Sequence, residues 1–240
     1  MTMDANGYGI LELEAAQAQV QPDGTLLPPL DLSLGPGECA LVEVPDPIHA
    51  ALFGDMCAGL LPLASGRVLF MERDWAALPE DSAASLRGRI GRVFAGGGWL
   101  PQLDVAENVL LPQLYHTLAS DAALRERAAM LAQGFGLPGL PLVRPQDLSP
   151  DELARAACVR AFLGEPALLV LEMSLPDRLV GDLAPPLLDA LSGARARGAA
   201  CVWLTRSSMA WEEQPFPTTY RLRLSDRGLA RTGLHRRRAA

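Results

Sequence analysis

The sequence predicts an α/β fold built on a mostly parallel sheet with a helical insertion, and three observations predict it. Short apolar runs occur at residues 39–44 (CALVEV), 167–171 (ALLVL) and 199–205 (AACVWLT), as in strands covered on both faces. A helical pattern at 183–196 links the last two as a crossover. The middle of the chain, residues 105–136 and 149–163, is dominated by helix formers at helical spacing. Strands alternating with helices, interrupted by a helical block, make an α/β domain with an insertion.

Each element follows from local chemistry. Residues 9–20 (GILELEAAQAQV) open with alternating apolar positions and read as a strand. Gln21-Pro22-Asp23-Gly24 is a turn, with its Asp-Gly step. Leu30, Leu32 and Leu34 alternate in a second strand, and Gly35-Pro36-Gly37 turns the chain into the third, at 39–44. A helix is expected over 48–60, then a strand over 67–71 after Ser65-Gly66. In the helical block, Asp121 is expected to cap a helix carrying Leu124, Ala128, Leu131 and Ala132 on one face. No internal repeat or long linker interrupts this order.

Composition excludes several functions. The 240 residues are 49% hydrophobic, enough for a sizeable core, and only 5% aromatic, so the core is one of Leu, Val and Ala. A net charge of −7 argues against nucleic acid as a partner. Cys39, Cys57, Cys158 and Cys201 lie in apolar stretches without paired spacing and read as buried thiols. His49, His116 and His235 are too dispersed for a metal site. The opening MTMDANGYGI lacks a basic region followed by an apolar run, so no signal peptide is expected. No apolar run approaches the ~18 residues that span a bilayer, so a soluble or peripheral protein is expected. All 21 basic side chains are arginine; the chain has no lysine.

Four phrases in fixed order carry a resemblance. The strand at 39–44 leads to Cys57-Ala58-Gly59-Leu60-Leu61-Pro62 and Ala64-Ser65-Gly66-Arg67-Val68. Next come Ile90-Gly91-Arg92-Val93-Phe94, Leu100-Pro101, and residues 106–112 (AENVLLP). Leu148-Ser149 to Arg155 then runs through 157–166 into the strand LLVL. Across nearly the whole chain this resembles the nucleotide-binding subunit of an ABC transporter, closest in phrasing to the lipoprotein and lipid-transport branches. The resemblance implies a RecA-like P-loop core of ABC ATPase type with an inserted helical subdomain. Its expected divisions are 1–94 for the first part of the core, 95–164 for the helical part, and 165–240 for the rest of the core and the tail.

The positions where the family keeps nucleotide chemistry are altered, except that Ser149 of the signature segment is retained and a carboxylate remains at Glu172. Aligned on Ala58-Gly59, the phosphate loop falls at residues 44–52, from Val44 to His49, Ala50 and Ala51. The family's phosphate-binding lysine is Ala50, and its magnesium-binding hydroxyl is Ala51. A phosphate nest needs consecutive backbone N–H groups, which Pro45 and Pro47 lack, while Glu43 and Asp46 add negative charge. The family glutamine is Ala95. The magnesium aspartate and catalytic glutamate are Glu172 and Met173, and a thioether cannot act as a base. The switch histidine is Arg206, and no aromatic stands near Val20 and Gln21 to stack on adenine. The signature segment is Leu148-Ser149-Pro150-Asp151-Glu152, which reads as a capping box: Ser149 as N-cap, Pro150 first in the helix, Glu152 three residues on. Asp151 and Glu152 oppose anion binding at that helix end.

The resemblance therefore implies no bound cofactor or metal and no catalytic residue, the family positions being vestigial. It also implies a membrane permease subunit as partner, with an intact ABC ATPase or a second copy of this chain beside it. The expected location is the cytoplasmic face of the inner membrane. The permease-facing segment is expected at Gly96, Gly97, Gly98, Trp99, Leu100 and Leu103, with the glycines as a flexible hinge. Two other readings stand beside this one: a soluble interaction module, and an ATPase binding nucleotide unusually through Glu172, Arg206 or Ser149. The tail, with Arg236, Arg237 and Arg238 in a row, reads as a solvated end.

Overall fold

The computed structural model describes residues 8–19, 24–173, 182–206 and 217–232. The turn at 21–23, the tail from 233 onward, and positions 20 and 21 fall outside them. The described strands form two sheets. β1 (Leu11–Ala18), β2 (Leu30–Leu34), β4 (Leu63–Phe70) and β5 (Arg73–Asp74) make an antiparallel sheet in the order β2-β1-β4-β5. The larger sheet has the order β10-β9-β3-β8-β7-β6, from β3 (Cys39–Glu43), β6 (Ile90–Val93), β7 (Leu168–Glu172), β8 (Ala200–Thr205), β9 (Tyr220–Ser225) and β10 (Gly228–Arg231). It is parallel except for its edge strand β10.

The helices are α1 (Pro47–Cys57), α2 (Glu80–Arg87), α3 (Val105–His116), α4 (Asp121–Gly134), α5 (Pro150–Phe162) and α6 (Ala184–Ala196). Because strand residues alternate between faces, β3 sends Cys39 and Leu41 into one core and Ala40 and Val42 into another. The first core packs β3, β7 and β8, with Trp203 fully buried, against α3, α4, α5 and α6. The second packs the opposite face against α1 and the antiparallel sheet. Gly91 allows α5 to lie close on β6, since a Cβ there would collide with the Ala161 carbonyl.

Three local expectations need correction. α1 starts at Pro47, so most of the segment expected as a phosphate loop is helix. The N-cap of α4 is Ser120, whose hydroxyl accepts from Ala123 N–H at 3.3 Å; Asp121 is the first helical residue. β4 begins at Leu63, so Ser65-Gly66 lies inside the strand, where its pairing with β1 shifts register.

Candidate functional site

Parallel register brings four strand ends side by side: Glu43 opposite Thr205, Glu172 opposite Leu204, and Val93 opposite Leu171. The carboxyl edge of an open α/β sheet is where such folds hold ligands. A cleft of about 500 Å³ lies there. Val44, Ala50, Ala95, Glu172, Met173 and Arg206 line it, together with Gly96, Gly97 and Trp99 of the following loop and Pro150 of α5. His49, Ala51 and Ser149 do not. The fold thus assembles most of the sequence-predicted positions into one cleft, whose walls are mainly apolar.

At the α1 end of this cleft the helix N-terminus is capped from within. The Asp46 carboxylate accepts from His49 N–H at 2.9 Å and lies 2.9 Å from the His49 ring Nδ1. These contacts hold the Asp46 carboxyl below its ordinary range. Pro47 at the first helical position contributes no N–H. The partial positive charge that helix termini offer to phosphate faces a fixed carboxylate instead.

Deeper in, a charge cluster takes up Glu172. Arg92 projects from β6 and donates through Nε to Glu172 Oε1 at 2.5 Å and through Nη1 to Asp55 Oδ1 at 2.6 Å. Its Nη2 donates to the Ala51 carbonyl at 3.1 Å. The second Glu172 oxygen accepts from Ala95 N–H at 3.2 Å. Arg92 and Glu172 are both buried. Burial pushes the Glu172 carboxyl upward, against the downward pull of Arg92 and the Ala95 N–H. Gly54 makes the space: a Cβ there would stand 2.5 Å from Glu172 Oε1 and 2.8 Å from Arg92 Nη2. Met173 is buried, and its carbonyl accepts from Trp203 Nε1 at 3.0 Å. Arg206 is exposed at the end of β8.

These residues do not suit magnesium and a nucleoside triphosphate. Ala51 has no hydroxyl, Glu172 already meets a cation, and the helix N-terminus already meets an anion. At the other wall, α5 starts as its sequence predicts. Ser149 N–H donates to Glu152 Oε2 at 2.9 Å, and Glu152 N–H donates to Ser149 Oγ at 3.3 Å.

The loop after β6, expected as a flexible hinge, makes defined contacts in this structure. Gly97 and Gly98 adopt positive φ, and Arg160 in the last turn of α5 donates to both their carbonyls, at 2.5 and 3.0 Å. Trp99 is half-buried, packs on the core and lies 4.5 Å beneath the Arg160 guanidinium. Asn108 fixes the next stretch: its Oδ1 accepts from Leu100 N–H at 2.8 Å, and its Nδ2 donates to the Leu100 and Leu103 carbonyls. Gly98 and Leu100 line a second pocket of about 180 Å³, with Phe94, Leu111 and Arg92. Leu103 lines neither pocket. Sequence reasoning missed Asp55, Arg92, Asn108 and Arg160; the available signal was an arginine inside the apolar run IGRVF.

The two sheets with their helical insertion define an ATP-binding cassette. The chain matches the dimeric post-hydrolysis structure of the ATP-binding cassette MJ0796 bound to ADP and Pi, with TM-score 0.78, 19% identity, and coverage of 92% of this chain and 97% of that one. It also matches a structure of the ATP-binding subunit of an ABC transporter, with TM-score 0.75 and 19% identity over 94% of this chain and 90% of that one. No protein-family model matches the sequence. Among curated proteins, the lipoprotein-releasing system ATP-binding protein LolD of Maricaulis maris is 32% identical over 214 residues, covering 82% of this chain and 88% of the relative. LolD of Roseobacter denitrificans is 32% identical over 167 residues, 69% of this chain and 70% of the relative. The chain belongs to the family of ABC-transporter ATP-binding subunits and resembles its lipoprotein-releasing branch.

Proposed function

We propose that this chain is a non-hydrolysing member of its family, a structural or regulatory subunit that docks on a membrane permease. The observation that carries this reading is the Arg92–Glu172 pair. The carboxylate at the magnesium position has its cation supplied by the protein itself, at 2.5 Å. Three features support it: no lysine anywhere in the chain, a helix N-terminus capped by Asp46, and a thioether where the water-activating carboxylate belongs. A buried ion pair of this geometry is costly to open, because either partner left alone is an uncompensated buried charge.

Docking falls on the surface around the smaller pocket. Phe94, Leu100 and Leu111 are exposed there, and Leu114 and Tyr115 continue the exposed apolar stripe along α3. An unpartnered apolar surface of this kind fits a protein interface. Among the described residues no helix is long and apolar enough to cross a membrane; on this reading the permease holds the chain at the cytoplasmic face. The second ATPase position is filled by a lysine-bearing subunit or another copy of this chain. The relatives' names point to lipoprotein or lipid as cargo. The test is isothermal calorimetry of the purified chain with magnesium-ATP. No saturable heat is expected. Saturable binding that Glu172→Gln abolishes overturns the proposal.

A further inference from the structure

The cleft at the carboxyl edge of the larger sheet is open, of ligand size and mostly apolar. At about 500 Å³ it falls within the range of small-molecule sites, roughly 300–1,000 Å³. Its walls include Val44 after β3, Ala50 of α1, Leu153 and Ala154 of α5, Met173 after β7 and Leu204 of β8. Trp99, from the loop after β6, adds part of an indole ring. Ala50 and Met173 stand where lysine and glutamate were expected, so the changes that removed charge also supplied apolar wall.

Among the described residues three charged side chains reach this cleft, Asp46, Glu172 and Arg206, and each is engaged within the chain. Asp46 accepts from His49 N–H and meets the His49 ring Nδ1, both at 2.9 Å. Glu172 meets Arg92 and the Ala95 N–H. Arg206 has an interaction of its own within the chain. A charged ligand would leave water for apolar walls without gaining a counter-charge, which is costly. An uncharged apolar molecule meets no such cost. Seating it removes from water both its own surface and that of the walls.

We infer that this cleft binds one uncharged, predominantly apolar small molecule in place of nucleotide. This rests on the non-hydrolysing reading above and assigns a ligand class to the cleft. The bound molecule touches strand ends on one side and α5 on the other, and it stabilises the folded chain by mass action.

The test titrates the full-length chain with N-phenyl-1-naphthylamine, an uncharged apolar fluorophore. A parallel titration uses 8-anilino-1-naphthalenesulfonate, which carries a sulfonate on the same ring skeleton. Saturable one-site binding of the uncharged probe is expected, with the sulfonate weaker by about tenfold or more. Ala154→Trp and, separately, Ala95→Phe put a ring into the cleft. Each is expected to weaken the uncharged probe by about tenfold or more. Two positions are used so that one poorly folded variant, seen by circular dichroism, does not decide the result. Met130→Gln, on the exposed face of α4, is expected to leave the affinity unchanged. Binding that does not saturate, a sulfonate that binds as tightly, or an affinity indifferent to both cleft variants overturns the inference and leaves the non-hydrolysing reading intact. Displacement of the probe by magnesium-ATP overturns both.

Discussion

Arg92 decides most of what happens at the residue scale. Removing it leaves Glu172 and Asp55 facing each other without a cation, so Arg92→Met is expected to cost about 3–5 kcal/mol. Arg92→Met with Glu172→Met removes both buried charges, and the double variant is expected to regain most of that loss. Urea unfolding of the three proteins measures both. Asp46 gives a second check with a defined pH sign. Its carboxyl is held below its ordinary 3.8, so the stability it adds is present above that value and drains away as pH falls through the depressed value. Asp46→Ala is expected to cost about 1 kcal/mol at pH 7. The gap from the parent protein is expected to close in unfolding curves taken below about pH 3.8. Both residues stood in plain view in the sequence. Asp46 was read only as added negative charge, although a cap needs only local chemistry and its place before Pro47 could have shown it. Arg92 was not legible, because its partners lie 37 and 80 residues away and meet only when β6, α1 and β7 pack.

Elements divide in the same way. The start of α5 was legible to the residue, since Ser149, Pro150 and Glu152 act within one turn. Ser149→Ala is expected to lower stability by about 1 kcal/mol, read from thermal melting. The separation of the N-terminal strands into their own antiparallel sheet was not legible. Alternation tells which face of a strand is buried, not which strand pairs with it. α2 was missed because it buries only Ala83 and so leaves little apolar pattern. The glycines at 96–98, expected as a flexible hinge, also have a conformational role that composition alone does not show. Glycine is chosen there for left-handed backbone and for the rings of Phe94 and Trp99, where a Cβ on Gly98 or Gly97 would intrude. Because β6 rests on α5 through Gly91, Gly91→Val is expected to destabilise by roughly 1–3 kcal/mol, seen as a lower urea midpoint.

The whole molecule carries its family's outline with the contents of one cleft exchanged. That outline came through the sequence as four phrases in order, and the comparisons place the chain in the family. On the proposed reading, magnesium-ATP leaves the melting temperature unchanged, as a ligand without affinity for the folded state must. Ala50→Lys alone is expected to leave it unchanged too, because Asp46 and Arg92 still hold both ends of the cleft. A thermal-shift titration of the parent and that variant reads both outcomes.

The ion pair in that cleft also sets what the subunit can sense. In a nucleotide-driven machine the positive charge beside the strand-end carboxylate arrives and leaves with each turnover, so the surrounding loop reports the supply of fuel. Here that charge is covalently part of β6, and the loop after it is tied to α5 by Arg160. On the proposed reading, a subunit wired this way has no dependence on the ratio of ATP to ADP around it, and within a transporter it is a fixed reference against which a fuelled neighbour moves.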